Sequence, residues 1–157
     1  MNKLKNVPIY TDTFQQAGDF KPLDHSIYVF GLTDEVRSQH IADWRNSTVN
    51  VNFIEISEKT NSSFIVNGDD SNEIFLICDQ NLSNLWKDVS KESNIYVDIT
   101  GLSHSTWAGV LKSAIDNGYK VLVVYVEPGL YSRSDAPLEG QIYDLSEKIT
   151  AISPLPG

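Results

Sequence analysis

Asn94-Ile-Tyr-Val-Asp-Ile-Thr-Gly-Leu-Ser-His-Ser-Thr-Trp107 carries an apolar run into Asp98 and then a short polar turn. The turn holds Thr100, Gly101, Ser103, His104, Ser105 and Thr106, and a helix opens at Trp107 or just before it. This is the layout by which α/β proteins build ligand sites: a strand's carboxyl end delivers a loop, and the helix start presents unpaired backbone N–H groups. The stretch names a place rather than a reaction, and no complete catalytic motif occurs elsewhere in the sequence.

Downstream, Trp107, Val110, Leu111, Ala114 and Ile115 fall at the spacing of an amphipathic helix, which Gly118 stops as a C′ glycine. Residues 121–126 are wholly apolar and suit the middle of a parallel sheet. Upstream, residues 26–30 read as a buried strand ending at Gly31. Val36, His40, Ile41 and Trp44 then suggest a helix over residues 34–46, with Thr33 as its cap. Residues 49–56 form a second strand. Residues 57–72, rich in Ser, Asn, Gly and Asp, read as a surface excursion with a short strand at 64–66. A strand over 73–78 and a helix over 81–91 complete the pattern. The expectation is an α/β fold: a Rossmann-like, mostly parallel open sheet of about five strands with helices on both faces. Right-handed crossovers then bring the loops after Phe30, Cys78, Asp98 and Val126 to one rim, where ligands bind in such folds.

The organisation expected is a leading arm at 1–25, the Rossmann-like domain at 26–126, and an irregular tail at 127–157 punctuated by Pro128, Pro137, Pro154 and Pro156. Residues 141–145 and 148–152 of the tail suggest a hairpin. The end at Leu155-Pro-Gly157 fits equally an excised domain that has lost an effector and a natural terminus.

Composition narrows the class. Apolar content is 41%, ordinary for a soluble domain, and no apolar run reaches the roughly 18 residues that cross a bilayer. The first twelve residues lack the apolar core of a secretory signal. A single cysteine, Cys78, excludes an internal disulfide, so cytoplasm is the expected compartment. The net charge of −9, with basic residues scattered, disfavours duplex nucleic acid as a partner, and no membrane partner is expected. His25, His40 and His104 lack metal-ligand spacing, so no metal and no resident cofactor are expected. No dinucleotide fingerprint, P-loop or G-x-S-x-G motif is present.

Three rim segments remain as candidate ligand sites, none of them catalytic. Gly31, Thr33 and Arg37 offer amides, a hydroxyl and a guanidinium, or simply make a tight turn with a cap. Asp98, Thr100, Gly101, Ser103 and His104 place a carboxylate, hydroxyls and an imidazole on one turn. There, Asp98 takes a ribose hydroxyl or holds the loop by accepting backbone N–H groups. Tyr131 and Arg133, after the apolar strand, offer a stacking ring and a phosphate partner, or a surface turn.

Asp98-Ile-Thr-Gly101 after the fourth strand resembles the strand–Asp-x-Thr-Gly-Gly-Thr-Lys–helix turn of the CRISPR-associated Rossmann fold (CARF) sensor domains. Asp98, Thr100 and Gly101 match. Leu102 stands at the second Gly, Ser103 at the Thr and His104 at the Lys. The resemblance covers this turn and the element order over residues 26–126. It implies a homodimeric sensor in prokaryotic anti-viral defence that binds a cyclic oligonucleotide or similar nucleotide and switches a fused or separate effector. Two other readings stand beside it. One is a non-catalytic scaffold or oligomerisation domain that docks a protein partner. The other is a small nucleotide- or NAD-processing enzyme built around Glu127.

Overall fold

The computed structural model describes residues 11–76 and 79–127. The chain divides into two units, residues 1–127 and 128–157, and the described residues all belong to the first. The hairpin expected at 141–152 lies outside the described residues, as do Tyr131 and Arg133.

Strands β1 (Ile27–Gly31), β2 (Asn52–Thr60), β3 (Ser63–Val66), β4 (Ile74–Phe75), β5 (Asn94–Asp98) and β6 (Lys120–Val124) form one sheet in the order β4-β3-β2-β1-β5-β6. The pairs β1–β2, β1–β5 and β5–β6 are parallel, whereas β2–β3 and β3–β4 are antiparallel. This corrects the expected fold in three respects.

First, the sheet is mixed and six-stranded. Only Asn61 and Ser62 separate β2 from β3, and so short a link joins antiparallel strands alone. Within the polar stretch the short strand expected at 64–66 is present as β3, but residues 57–60 extend β2 and pair with it as a hairpin instead of forming a loop. The strand expected over 73–78 reduces to the two residues of β4 within the described chain.

Second, the helices do not cover both faces. Helix α1 (Asp79–Ser83) and helix α2 (His104–Asp116) contribute Leu82, Val110 and Ala114 to a single core with Ile27, Val29, Ile54, Ile56, Ile95 and Val97. The helix expected over 34–46 is instead two 3-10 segments, Val36–Asp43 and Arg45–Ser47. Ser38 is one cause: its hydroxyl donates toward the Thr33 and Glu35 carbonyls and accepts from the Thr33 N–H, which holds the first turn in a tight local loop. Val36, assigned to the apolar stripe, is 85% exposed.

The opposite face is closed by aromatic side chains. Tyr28, Phe30 and Tyr96 alternate with the residues of the helical face and pack with Ile41, Trp44, Phe20 and Phe53. Tyr28 and Trp44 meet edge to face at 4.8 Å, and Trp44 meets Phe20 likewise at 5.5 Å. Rings of this size bury a sheet face that no α-helix covers among the described residues.

Third, β6 is an edge strand, with Val123 half exposed. Its apolar sequence matched a central position, but no further strand pairs with it among the described residues.

The expectations for β5 and α2 hold. Ser103 caps α2, accepting from the Thr106 N–H. At the other end Gly118 has φ +81°, and the Gly118 and Tyr119 amides donate to the Ile115 and Ala114 carbonyls. That is the Schellman pattern. Ser103→Ala is expected to lower stability by about 1 kcal/mol in urea denaturation, the usual effect of losing a hydroxyl cap. No described helix is long and apolar enough to cross a membrane.

Candidate functional site

The order of the strands fixes where a site can form. From β1 the chain turns to β2 on one side, while β5 lies on the other. The loops leaving β1 and β5 therefore diverge at their carboxyl ends, the position at which open α/β sheets bind ligands.

Two glycines let these loops touch backbone to backbone. A Cβ at Gly101 would collide with the Gly31 carbonyl oxygen and lie 2.8 Å from its carbon. A Cβ at Gly31 would collide with the Leu102 side chain and lie 2.7 Å from the Gly101 oxygen. Both residues are candidates from the sequence, and their observed role is to clamp the loops together.

Beneath the clamp Asp98, 2% exposed, accepts three hydrogen bonds. Tyr28 Oη donates to Oδ2 at 2.9 Å, His40 Nε2 lies 2.6 Å from the same oxygen, and the Thr100 N–H donates to Oδ1 at 2.9 Å. Trp44 Nε1 donates to His40 Nδ1 at 3.3 Å. That bond requires a lone pair on Nδ1, so the ring proton sits on Nε2 and faces the carboxylate. Burial pushes the Asp98 carboxyl up, but the bonds from His40 and Thr100 outweigh it and hold the carboxyl below its usual range. Burial first, then the Asp98 charge and hydrogen bond, push the Tyr28 phenol far above its usual value. The phenol thus stays protonated and donating. Of the two roles open to Asp98, the structure shows the holding of the loop. Thr100 extends the chain of bonds: its hydroxyl accepts from the Val126 N–H at 3.0 Å and ties β5's loop to the end of β6.

Above this floor opens a cleft of about 460 Å³, lined by Thr33, Asp34, Glu35, Arg37, Glu58, Thr100, Gly101, Leu102 and Ser103. Five sequence candidates meet there: Thr33, Arg37, Thr100, Gly101 and Ser103. Gly31 and Asp98 are buried and not among the lining residues. His104 is exposed at the start of α2, its ring 5.9 Å from that of Trp107, and is not among the lining residues. Arg37 already pairs with Glu35 and donates to Tyr125 Oη at 3.1 Å.

Glu58 escaped the sequence reading. It comes from the part of β2 that runs on past the last residue paired with β1, Ile56. The β2–β3 register shifts between Glu58 and Thr60, an irregularity of the kind that re-aims a side chain beside a functional site. Glu58 Oε1 accepts the Ser103 N–H at 2.9 Å. Ser105 Oγ reaches the Asn61 carbonyl at 3.3 Å, so the hairpin tip and the start of α2 are tied twice. Burial raises the Glu58 carboxyl, yet hydrogen bonds from Thr106 and Ser103 prevail and hold it below its usual range. His40 and Tyr28 also went unread as site residues. The i, i+4 pairing of His40 with Trp44 was the available signal, and it was absorbed as helical periodicity.

No cluster of three or more His, Cys, Asp or Glu side chains is arranged to hold a metal among the described residues. No protein-family model, curated protein or solved structure matches the chain.

Proposed function

We propose that the domain is a sensing or regulatory module that binds a nucleotide-type signal in the cleft between the loops of β1 and β5. One observation carries the reading: the cleft lies at the divergence of two strand ends whose loops are clamped through Gly31 and Gly101 and held from below by Asp98. Its walls are continuous with β1 and β5, so a ligand held there acts on the core. The Asp98-Ile-Thr-Gly101 resemblance to CARF sensors points the same way. On this reading a homodimer carries the signal: ligand binding favours one arrangement of two protomers over another and passes the change to an effector.

NMR mapping tests the proposal. A ligand from a panel of nucleotides, cyclic di-, tri- and tetranucleotides and NAD is expected to shift the amides of residues 33–37, 58 and 100–103. It should also raise thermal stability, by about 2.7 kcal/mol at a hundredfold excess over Kd. Shifts confined to other segments would sink the cleft as the site.

A specific feature favours a second reading, the scaffold. Val123 and Tyr125 are half exposed at the β6 edge, and an apolar edge is a template for strand addition by a partner. Silence across the whole panel, with no amide moving, would favour it.

A further inference from the structure

We infer that the cleft admits the hydroxyl-bearing nucleoside face of its ligand and leaves phosphate outside, with Glu58 as the acceptor that reads a ribose diol. The inference rests on the function proposed above and names the ligand chemistry of that same site.

Charge is the first argument. Asp34, Glu35 and Glu58 line the cleft against the single guanidinium of Arg37, and Glu35 already pairs with that guanidinium. The whole chain adds a net charge of −9. A phosphate entering this space meets like charge with no unpaired cationic side chain among the lining residues.

The amides argue the same way. Phosphate sites on α/β rims rely on backbone N–H groups left without partners. Here the Thr33 N–H is taken by Ser38 Oγ, the Glu35 N–H by Thr33 Oγ1, the Thr100 N–H by Asp98 and the Ser103 N–H by Glu58. A phosphate directed at the Ser103 amide would have to displace the chain's own carboxylate from the start of α2.

What the lining does present is acceptor capacity. A carboxylate offers about four lone-pair positions; Glu58 accepts the Ser103 N–H on Oε1 and is also bonded by the side chains of Ser103 and Thr106, which leaves acceptor capacity on its exposed side. Glu58 pairs with Phe64 immediately before the irregularity in the β2–β3 register, and its side chain lines the cleft. A ligand that donates hydrogen bonds fits such a wall, and the vicinal hydroxyls of a ribose are donors at the spacing of a carboxylate's two oxygens. An acid near the second strand is also the usual partner of a ribose hydroxyl on open α/β sheets. The volume, about 460 Å³, falls in the range of small-molecule sites.

Titration calorimetry of the full 157-residue chain decides it. The probes are adenosine, guanosine, cytidine and uridine, each beside its 2′-deoxy form and its 5′-monophosphate. At least one ribonucleoside is expected to bind about tenfold more tightly than both companions, as for one charge-assisted hydrogen bond. In Glu58→Gln the preference over the 2′-deoxy form should fall to near unity. In Asp34→Asn the monophosphate should gain a few-fold by relief of repulsion. Both side chains are exposed, and circular dichroism verifies that the variants fold. Tighter binding of the monophosphates, or a ribose preference that survives Glu58→Gln, overturns the inference and leaves the sensing function standing. Silence of all three series and of the cyclic di-, tri- and tetranucleotides and NAD overturns both.

Discussion

Gly101→Ala is expected to lower the stability of the domain by about 3 kcal/mol or more and its Tm by roughly 10 °C. The new methyl group has no space. It meets the Gly31 carbonyl group, main chain of a strand whose two neighbours are β2 and β5, and it lies 3.1 Å from Ser38 Cβ. A flexible side chain would swing away, but a carbonyl in the centre of a sheet moves only if β1 moves. The strain therefore spreads into Val29 and Phe30, both essentially without solvent exposure. Gly18→Ala is the control, because a Cβ there meets nothing within 4 Å. It should change stability by no more than about 0.5 kcal/mol. Urea denaturation of the two variants measures the contrast, and an unchanged m-value would show that the native state alone is affected. A Gly101→Ala protein within about 1 kcal/mol of the parent would mean that the loops are not clamped as described.

The same glycine shows what the sequence made legible. Gly101 stood out because it follows Asp98 and Thr100 on a strand-to-helix turn, and that part of the reading is local. An apolar run makes β5, a serine three residues before Thr106 makes the cap, and Gly118 makes the stop. Local information of this kind singled out Thr100, Gly101 and Ser103, which the structure brings together in the lining of one cleft. The partners were not local. Glu58 meets Ser103 across 45 positions and His40 meets Asp98 across 58, and no periodicity signals either meeting. The strand order had the same limit. An apolar 121–126 segment reads alike in the centre of a sheet and at an edge that a neighbouring chain or segment could cover. The 57–72 segment misled for a different reason. Glu58, Lys59 and Thr60 extend β2 beyond its parallel neighbour, where polar side chains face water and the alternation that marks a strand disappears. Aromatic cover misled most about architecture, since rings from the strands and from 3-10 turns closed the face where helices were expected.

Asp98→Ala should lower stability at neutral pH by about 4 kcal/mol, a large fraction of the roughly 5–15 kcal/mol that holds a domain folded. The charge itself is not the main loss. Removing it strands three donors in a buried site: Tyr28 Oη, His40 Nε2–H and the Thr100 N–H, all bonded to that carboxylate. Each orphaned donor costs about 1–3 kcal/mol. His40 cannot compensate by moving its proton to Nδ1, because the Trp44 N–H occupies that lone pair. Asp98→Asn keeps the shape but puts an NH₂ where an acceptor is needed, so it should fall between the parent and Asp98→Ala. The acid limb gives an independent check. The Asp98 carboxyl is held below its usual range in the folded state. Its contribution is therefore fully present above the unfolded value, near 3.9, and is lost as pH falls through the lower folded value. Stability of the parent should accordingly drop more steeply below about pH 4 than that of Asp98→Asn, which has no proton to take up there. Parallel acid limbs for the two proteins would show that Asp98 is not the stabilised carboxylate at the foot of the cleft.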